Sequence, residues 1–213
     1  MMALIAPSML SADFLHLEKD VEMVNTHADI FHLDIMDGVF VPNISYGFPV
    51  VEAIASMATK PLDAHLMIVH PEKYVERFAK VGVNMLSFHY EAVEDSMPVI
   101  DLIRSCGMTP GIAINPDVPV GKIFPYLEHC GFVLIMSVFA GFGGQKFIEE
   151  TYRRIRDVRE EIVRRGLDCI IEVDGGVSPS NAHALAEAGA EILVAGSAVF
   201  KSPDPAATIA SMR

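Results

Sequence analysis

The sequence predicts an α/β fold, a single (β/α)8 TIM barrel, and three observations lead to this prediction. Short apolar runs alternate with segments of helical patterning, and eight such strand-then-helix units follow one another. No linker, low-complexity segment or shift in composition interrupts them, so residues 1–213 are expected to form one domain. An open doubly wound sheet normally carries a G-x-G-x-x-G turn after its first strand, and residues 8–11 read Ser-Met-Leu-Ser instead.

Each predicted strand is a short apolar run that ends at a polar residue or a turn. This pattern is typical of strands that are buried on both faces of a parallel sheet. The predicted strands are residues 4–7, 30–34, 62–67, 85–89, 109–114, 132–138, 169–173 and 192–195.

Each predicted helix follows one of these strands, and some of the helices have a start or stop signal. Asp13 is expected to cap the first helix, Pro71 and Pro179 to begin two others, and Gly107 to end the fourth. The predicted helices are residues 13–27, 50–57, 71–82, 99–106, 120–130, 151–165, 179–188 and 205–212.

Composition narrows the range of partners. The formal charge of −12 argues against nucleic acid, and an anionic substrate would need a local binding device. No apolar run approaches the length of a membrane span, and the first residues lack the pattern of a signal peptide. Cys106, Cys130 and Cys169 are scattered and odd in number, as expected for ordinary thiols in a reducing compartment. We therefore expect a soluble, cytoplasmic protein without a membrane partner.

Four polar residues at predicted strand ends form the candidate metal site. His32 and Asp34 stand two apart on the second strand, so both side chains project from one face. Taken alone, the pair could be a simple His–Asp hydrogen bond, His65 a core histidine and Asp174 a helix cap. A barrel places its chemistry at the C-terminal ends of its strands, where all four can reach one centre. Two imidazoles and two carboxylates suit zinc, iron, manganese or cobalt.

Three glycine-rich turns follow the last three predicted strands: Gly141-Phe142-Gly143-Gly144, Gly175-Gly176 and Gly196-Ser197. Glycine lets backbone N–H groups approach an anion closely, and the last two βα loops of a barrel commonly hold phosphate. No lysine or arginine lies within these turns, so anion binding would depend on backbone dipoles. His89 and Asn115 also stand at strand ends and are interpreted as supporting or structural groups.

Six motifs resemble the ribulose-phosphate 3-epimerase family, in order along nearly the whole chain. They are APSMLSADF at 6–14, HLDIMDG at 32–38 with FVPN at 40–43, DAHLM at 63–67, GFGGQKF at 141–147, EVDGGV at 172–177 and VAGSAVF at 194–200.

The resemblance implies a barrel of the ribulose-phosphate-binding type and a specific activity. That activity is the metal-dependent interconversion of D-ribulose 5-phosphate and D-xylulose 5-phosphate by two-base proton transfer at C3, a step of the pentose phosphate pathway. It implies that Asp34 and Asp174 are the acid/base pair and that one divalent metal, without an organic cofactor, is held by His32, Asp34, His65 and Asp174.

The resemblance also implies the substrate contacts. Ser8 and His65 match residues that contact the sugar. The phosphate cradle is matched by Gly141, Phe142, Gly143, Gly144, Gly175, Gly176, Gly196 and Ser197, and the apolar lining by Met36, Met67 and Met136. The expected partners are a phosphorylated ketose and further copies of the same chain.

Two departures from the family pattern concern the size of the substrate. Phe139-Ala140 stands where the family usually has Asn-Pro or Glu-Pro, which would loosen the entry to the following loop. Phe48 separates Gly47 from Pro49, which the family commonly places together. A six-carbon ketose phosphate such as allulose 6-phosphate is therefore an alternative substrate. A lyase such as a hexulose-phosphate synthase and a non-catalytic sugar-phosphate binder are further alternatives, although a binder would not need two opposed carboxylates.

Overall fold

Eight parallel strands form one sheet in the computed structural model, which describes residues 3–213. The strands are β1 Leu4–Pro7, β2 Phe31–Met36, β3 Leu62–Met67, β4 Met85–His89, β5 Thr109–Ile114, β6 Phe132–Met136, β7 Ile170–Asp174 and β8 Ile192–Ala195. Their order is β1-β8-β7-β6-β5-β4-β3-β2, and a parallel bridge between Ser8 and His32 joins the two ends. The predicted (β/α)8 TIM barrel is confirmed. Met1 and Met2, which the single-domain prediction includes, lie outside the described residues, and that prediction remains untested.

Helices connect the strands on the outside of the barrel. The α-helices are α1 Leu17–His27, α2 Phe48–Met57, α3 Val75–Val81, α4 Met97–Ser105, α5 Thr151–Arg165, α6 Ala182–Ala188, α7 Ser197–Phe200 and α8 Pro205–Ser211. Short 3-10 helices cover Met9–Ser11, Pro71–Lys73, Tyr90–Ala92, Val120–Lys122 and Phe124–His129. Within residues 3–213, none of the helices combines the length and the apolarity needed to cross a membrane.

The helix predicted over 120–130 is wrong, because that segment folds as two 3-10 helices instead of one α-helix. Gly121 has a low helix propensity, and Pro125 lacks the N–H that an α-helical hydrogen bond requires.

Three predicted helix starts are also wrong. α1 begins at Leu17, and Asp13 instead accepts the backbone N–H of Leu15 at 3.0 Å in a turn before the helix. Pro71 begins a 3-10 turn ahead of α3, and α6 begins three residues after Pro179, at Ala182. The four-residue helix α7 was not predicted, because so short a segment has no readable periodicity.

Apolar and polar side chains alternate along several strands, which produces an apolar layer outside the sheet and a polar barrel interior. On β2, Phe31, Leu33 and Ile35 belong to the largest apolar cluster, which lies between the strands and the helices. The intervening side chains point the other way, into the barrel. The interior positions of β2, β3, β4 and β7 are therefore polar at His32, Asp34, Asp63, His65, Ser87, His89, Glu172 and Asp174. This concentration of polar groups, seven of them buried and Asp174 partly exposed, marks the candidate site.

Candidate active site

Four side chains from three strands meet at the C-terminal end of the barrel. Asp34 Oδ1 lies 3.4 Å from His32 Nε2 and 3.4 Å from His65 Nδ1. Asp174 Oδ2 lies 3.9 Å from His65 Nδ1. One donor atom of each residue lies within 4.8 Å of the corresponding atom of every other residue in the group. The structure thus brings together all four of the predicted metal-ligating residues.

The two imidazoles turn an unpaired nitrogen toward the carboxylates. His32 Nδ1 lies 2.6 Å from Asp63 Oδ2, and His65 Nε2 lies 2.9 Å from His89 Nε2. The other nitrogens, His32 Nε2 and His65 Nδ1, are buried and have no hydrogen-bond partner among the described residues. Buried polar atoms without a partner are costly. Two unpaired imidazole nitrogens and two carboxylate oxygens in one place form a donor set that fits a divalent cation.

Without a bound metal, the pKa values of the two carboxyl groups are shifted in opposite directions. Burial alone would raise the pKa of Asp34, but His32 and His65 hold it well below its usual range. Burial, together with the charge of Asp34, raises the pKa of Asp174 to about 7. Ser8 Oγ donates a hydrogen bond of 2.5 Å to Asp34 Oδ2 and favours the ionised form further. Near neutral pH, Asp34 is therefore ionised while Asp174 retains a proton in a large fraction of molecules.

The two histidines also differ from each other. Burial alone would lower the pKa of His32, but the carboxylates of Asp34 and Asp63 raise it well above its usual value. Burial lowers the pKa of His65 to about 4, so this ring is neutral at physiological pH. A cation that binds His32 Nε2 must therefore displace a proton from it.

A cavity of about 440 Å³ opens over this group. Asp34 and Asp174 line it, whereas His32 and His65 are fully buried and are not among the described residues in its wall. The other predicted site residues in the wall are Ser8, Gly141, Phe142, Gly143, Gly144, Gly175, Gly176, Gly196 and Ser197, together with Met36, Met67 and Met136. The two carboxylates and the glycine turns therefore share one cavity.

Comparison with known proteins identifies the family. The family model described as "Ribulose-phosphate 3 epimerase family" matches residues 4–200. A protein named ribulose-phosphate 3-epimerase from Synechocystis sp. is 48% identical over 212 residues, which cover 98% of this chain and 92% of that protein. The chain belongs to the ribulose-phosphate 3-epimerase family. The predicted resemblance is confirmed, and the chain is an epimerase, a member of the isomerase class of enzymes.

Further comparisons agree with this assignment. The protein of the same name from Bacillus subtilis is 44% identical over 211 residues, covering 98% of this chain and 97% of that protein. Among solved structures, KGPDC from Streptococcus mutans has a TM-score of 0.73 at 11% identity, covering 100% of this chain and 96% of that chain. A tryptophan synthase alpha-subunit from Pyrococcus furiosus has a TM-score of 0.71 at 15% identity, covering 100% and 98%. At these low identities the two structures support the fold alone.

Two glycines in the turns of the epimerase have close neighbours, Gly176 against backbone atoms and Gly196 against a serine side chain. Gly176 has a φ of +64°, and a Cβ there would lie 2.8 Å from Phe147 N and 3.0 Å from Gln145 O. A Cβ on Gly196 would lie 2.6 Å from Ser11 Oγ. Glycine at these two positions lets the turns after β7 and β8 pack against neighbouring segments at the cavity.

Three charged residues near the candidate site were not predicted from the sequence. Asp63 and Glu172 lie in the barrel interior beside His32, and Glu172 Oε1 is 3.4 Å from His32 Nδ1. Burial, together with the charge of Asp63, raises the pKa of Glu172 to about 8. Each acid precedes a predicted site residue by two positions on its strand, and this spacing could have revealed it.

Lys201, just beyond the last glycine turn, is the only basic residue among the described residues that line the cavity. Anion binding therefore need not depend on backbone dipoles alone.

The two departures from the family pattern have different surroundings. Phe139 lines the cavity and is 51% exposed. Phe48 packs against Phe78 with ring centroids 4.7 Å apart and ring planes tilted by 42°, outside the described cavity wall. Ala140, at the position usually held by proline, donates its N–H to Asn115 Oδ1 at 2.9 Å. This hydrogen bond restrains the start of the loop at residues 141–144, where the absence of proline was expected to allow more movement.

Proposed function

We propose that this epimerase interconverts D-ribulose 5-phosphate and D-xylulose 5-phosphate by proton transfer at C3, with a divalent metal as its cofactor. The observation that carries the proposal is the pair Asp34 and Asp174, two carboxyl groups with separated pKa values in one cavity. Paired acids whose surroundings push their pKa values apart are suited to work as base and acid. The names of the relatives support the choice of substrate.

The metal would be held by His32, Asp34, His65 and Asp174. When bound, it would act as a Lewis acid that stabilises negative charge developing on the oxygens of the substrate. The two unpaired imidazole nitrogens support this assignment. Zinc, iron, manganese and cobalt all suit the donor set, so the proposal is one divalent ion from this group.

Asp34 and Asp174 would work on opposite faces of the same carbon. Asp34 stands on β2 and Asp174 on β7, separated around the ring by β1 and β8. In one direction the Asp34 carboxylate takes the proton from C3, and the C–H electron pair moves toward the neighbouring carbonyl oxygen. Asp174 then delivers its proton to the other face of C3, and the pair returns to the carbon. The two residues end with exchanged protonation states and can run the reverse reaction.

Ser8 would orient the base. Its hydroxyl donates to Asp34 Oδ2, so Oδ1 of Asp34 is left facing the two histidines. The glycine turns would hold the phosphate by backbone N–H groups of Gly143, Gly144, Gly176, Gly196 and Ser197, with Lys201 in the cavity wall. The methionines supply an apolar wall for the carbon chain.

One observation favours a comparison with six-carbon substrates, namely that Phe139 stands in the cavity wall. The structure offers no particular feature in favour of the lyase or the binder. A homo-oligomeric assembly, a cytoplasmic location and a role in the pentose phosphate pathway remain predictions.

The test is an epimerase assay on protein reconstituted with zinc, iron, manganese or cobalt, with ribulose 5-phosphate and allulose 6-phosphate side by side. We expect the five-carbon substrate to have the higher kcat/KM and chelated protein to lose activity. Asp101→Asn, a change to an exposed carboxylate paired with Arg104, is a matched control and should retain full activity. Equal activity of chelated and reconstituted protein would contradict the metal requirement, and preference for the six-carbon sugar would contradict the substrate.

A further inference from the structure

We propose that His89 is a positioning residue of the metal centre: it accepts a hydrogen bond from His65 and thereby turns the lone pair of His65 Nδ1 toward the carboxylates. This inference rests on the proposed function, because it concerns the same centre. The sequence motifs and the glycine turns do not account for the histidine at position 89.

The contact between the His65 and His89 rings requires one hydrogen between their Nε2 atoms. His65 Nε2 and His89 Nε2 lie 2.9 Å apart, and the rings stack at 25° with centroids 5.0 Å apart. Both side chains are fully buried, so water cannot take the place of either partner. At this distance one nitrogen must carry the hydrogen and the other must accept it. If His65 carries it, Nδ1 of His65 is a free ligand atom, and if His89 carries it, Nδ1 of His65 is blocked by its own hydrogen.

Glu91 favours one direction of this hydrogen bond. Glu91 Oε2 lies 3.6 Å from His89 Nδ1, and Glu91 Oε1 accepts the backbone N–H of Asn115 at 2.9 Å. A carboxylate facing His89 Nδ1 favours a hydrogen on that nitrogen, which leaves His89 Nε2 as the acceptor. The Asn115 side-chain nitrogen lies 3.5 Å from His89 Nδ1, but a neutral amide is a weaker influence than a charged carboxylate.

The surroundings keep Glu91 ionised and in place. Burial would raise the pKa of Glu91, but His89 and the N–H of Asn115 lower it below its usual value. Asn115 is fixed in turn, since its backbone carbonyl accepts a hydrogen bond of 2.9 Å from the side chain of Arg154. Arg154 is itself buried and also binds the carbonyls of Pro116 and Val118, each at 2.7 Å. A rigid chain of contacts therefore runs from Arg154 through Asn115 and Glu91 to His89 and His65.

The test compares three variants for metal affinity. His89→Leu fills a similar space without an acceptor, His89→Gln offers an amide oxygen near the position of Nε2, and Glu91→Gln keeps the shape but removes the charge. The readout is the dissociation constant for Co²⁺ and Zn²⁺, measured by competition with a coloured chelator. The visible spectrum of the Co²⁺ form and the unfolding temperature of the chelated protein are measured on the same samples. His16→Gln, at a side chain 70% exposed, is the matched control.

We expect His89→Leu to weaken metal binding by about 10- to 100-fold, the usual effect of removing a partner of a metal-bound histidine. His89→Gln should recover most of this loss, Glu91→Gln should fall between them, and His16→Gln should equal the wild type. In the zinc form, ¹⁵N spectra should show the hydrogen of His65 on Nε2.

Two results would overturn the proposal. One is wild-type affinity in His89→Leu, and the other is an equal loss in His89→Gln and His89→Leu, which would indicate packing instead of a hydrogen bond. If the leucine variant does not fold, Glu91→Gln decides the comparison, and wild-type metal affinity in that variant would also overturn the proposal. Failure of the wild-type protein to bind either metal would instead contradict the proposed metal centre itself.

Discussion

Replacing Gly176 by alanine tests whether the turn after β7 holds the phosphate. The residue has a φ of +64°, a conformation that costs an L-residue about 1–2 kcal/mol. The added Cβ would also lie 2.8 Å from Phe147 N and 3.0 Å from Gln145 O. Both are backbone atoms and cannot rotate away, so the segment that follows the Gly143-Gly144 turn must move.

This movement should weaken phosphate binding in particular. A hydrogen bond to a charged group contributes about 1.5–3 kcal/mol, and 1.4 kcal/mol corresponds to about a tenfold change in affinity. Loss of one backbone N–H contact to the phosphate therefore predicts at least a ~10-fold rise in KM and in the inhibition constant of inorganic phosphate. Because the acid/base pair is unchanged, kcat should fall less than kcat/KM.

Gly166→Ala is a matched control for this experiment. Gly166 ends α5 with the same φ of +64°, and nothing lies within 4 Å of the position of its Cβ. It therefore carries the backbone strain without the collision at the cavity. Steady-state kinetics and unfolding temperatures of the two variants are compared. We expect both variants to lose stability from the shared strain, Gly176→Ala more so because of its collision, and a rise in KM for Gly176→Ala alone. An equal KM in the two variants would refute the role given to this turn.

Three further predictions follow from the same geometry. In chelated protein, the contribution of Glu172 to stability should fall as pH rises from 4.5 to about 8, because folded Glu172 keeps a proton that the unfolded chain loses. Thermal unfolding of Glu172→Gln should therefore lose less stability than the wild type over this range, and an unchanged profile would contradict the raised pKa. Metal binding should release a proton and tighten as pH rises, since the proton on His32 must leave before the ring can bind the ion; calorimetry in two buffers measures this release, and His32→Ala should lose the metal. Asn115→Ala should raise KM, because it removes the acceptor of the Ala140 N–H at the start of the cavity loop. Asn115→Asp keeps an acceptor oxygen and should raise KM less. Equal KM values for the wild type and Asn115→Ala would show that this hydrogen bond does not position the loop.

Most of the fold could be predicted from the sequence, because the patterns that mark strands and turns are local. Alternation on β2 separates the apolar outer residues from His32 and Asp34, and the strand ends bring His65 and Asp174 into the same group. The glycine turns could be recognised for the same reason, since each is a continuous run. The prediction of one helix over 120–130 was wrong because Gly121 and Pro125 disfavour an α-helix, and the segment forms two 3-10 helices instead.

The supporting contacts could not be predicted because they depend on the register between strands. His32 stands opposite Asp63, and Asp34 stands opposite His65, in the pairing of β2 with β3. A shift by one residue would turn each of these side chains to the other face of the sheet. The link between His65 and His89 also depends on the packing of β3 against β4. Sequence spacing places these residues on the correct strands and leaves their partners undetermined.

The direct test of the two-base account is exchange of the C3 proton with deuterium in Asp34→Asn and Asp174→Asn. Each variant is loaded with metal, and its metal content is measured first, because loss of metal would abolish both exchanges. We expect epimerisation to fall by at least ~10²-fold in each variant, the usual scale of general acid–base catalysis. Each should still exchange the C3 proton of the one epimer that its remaining carboxylate serves, and the two variants should differ in which epimer that is. Epimerisation at the wild-type rate in either metal-loaded variant, or exchange of the same epimer by both, would contradict the account.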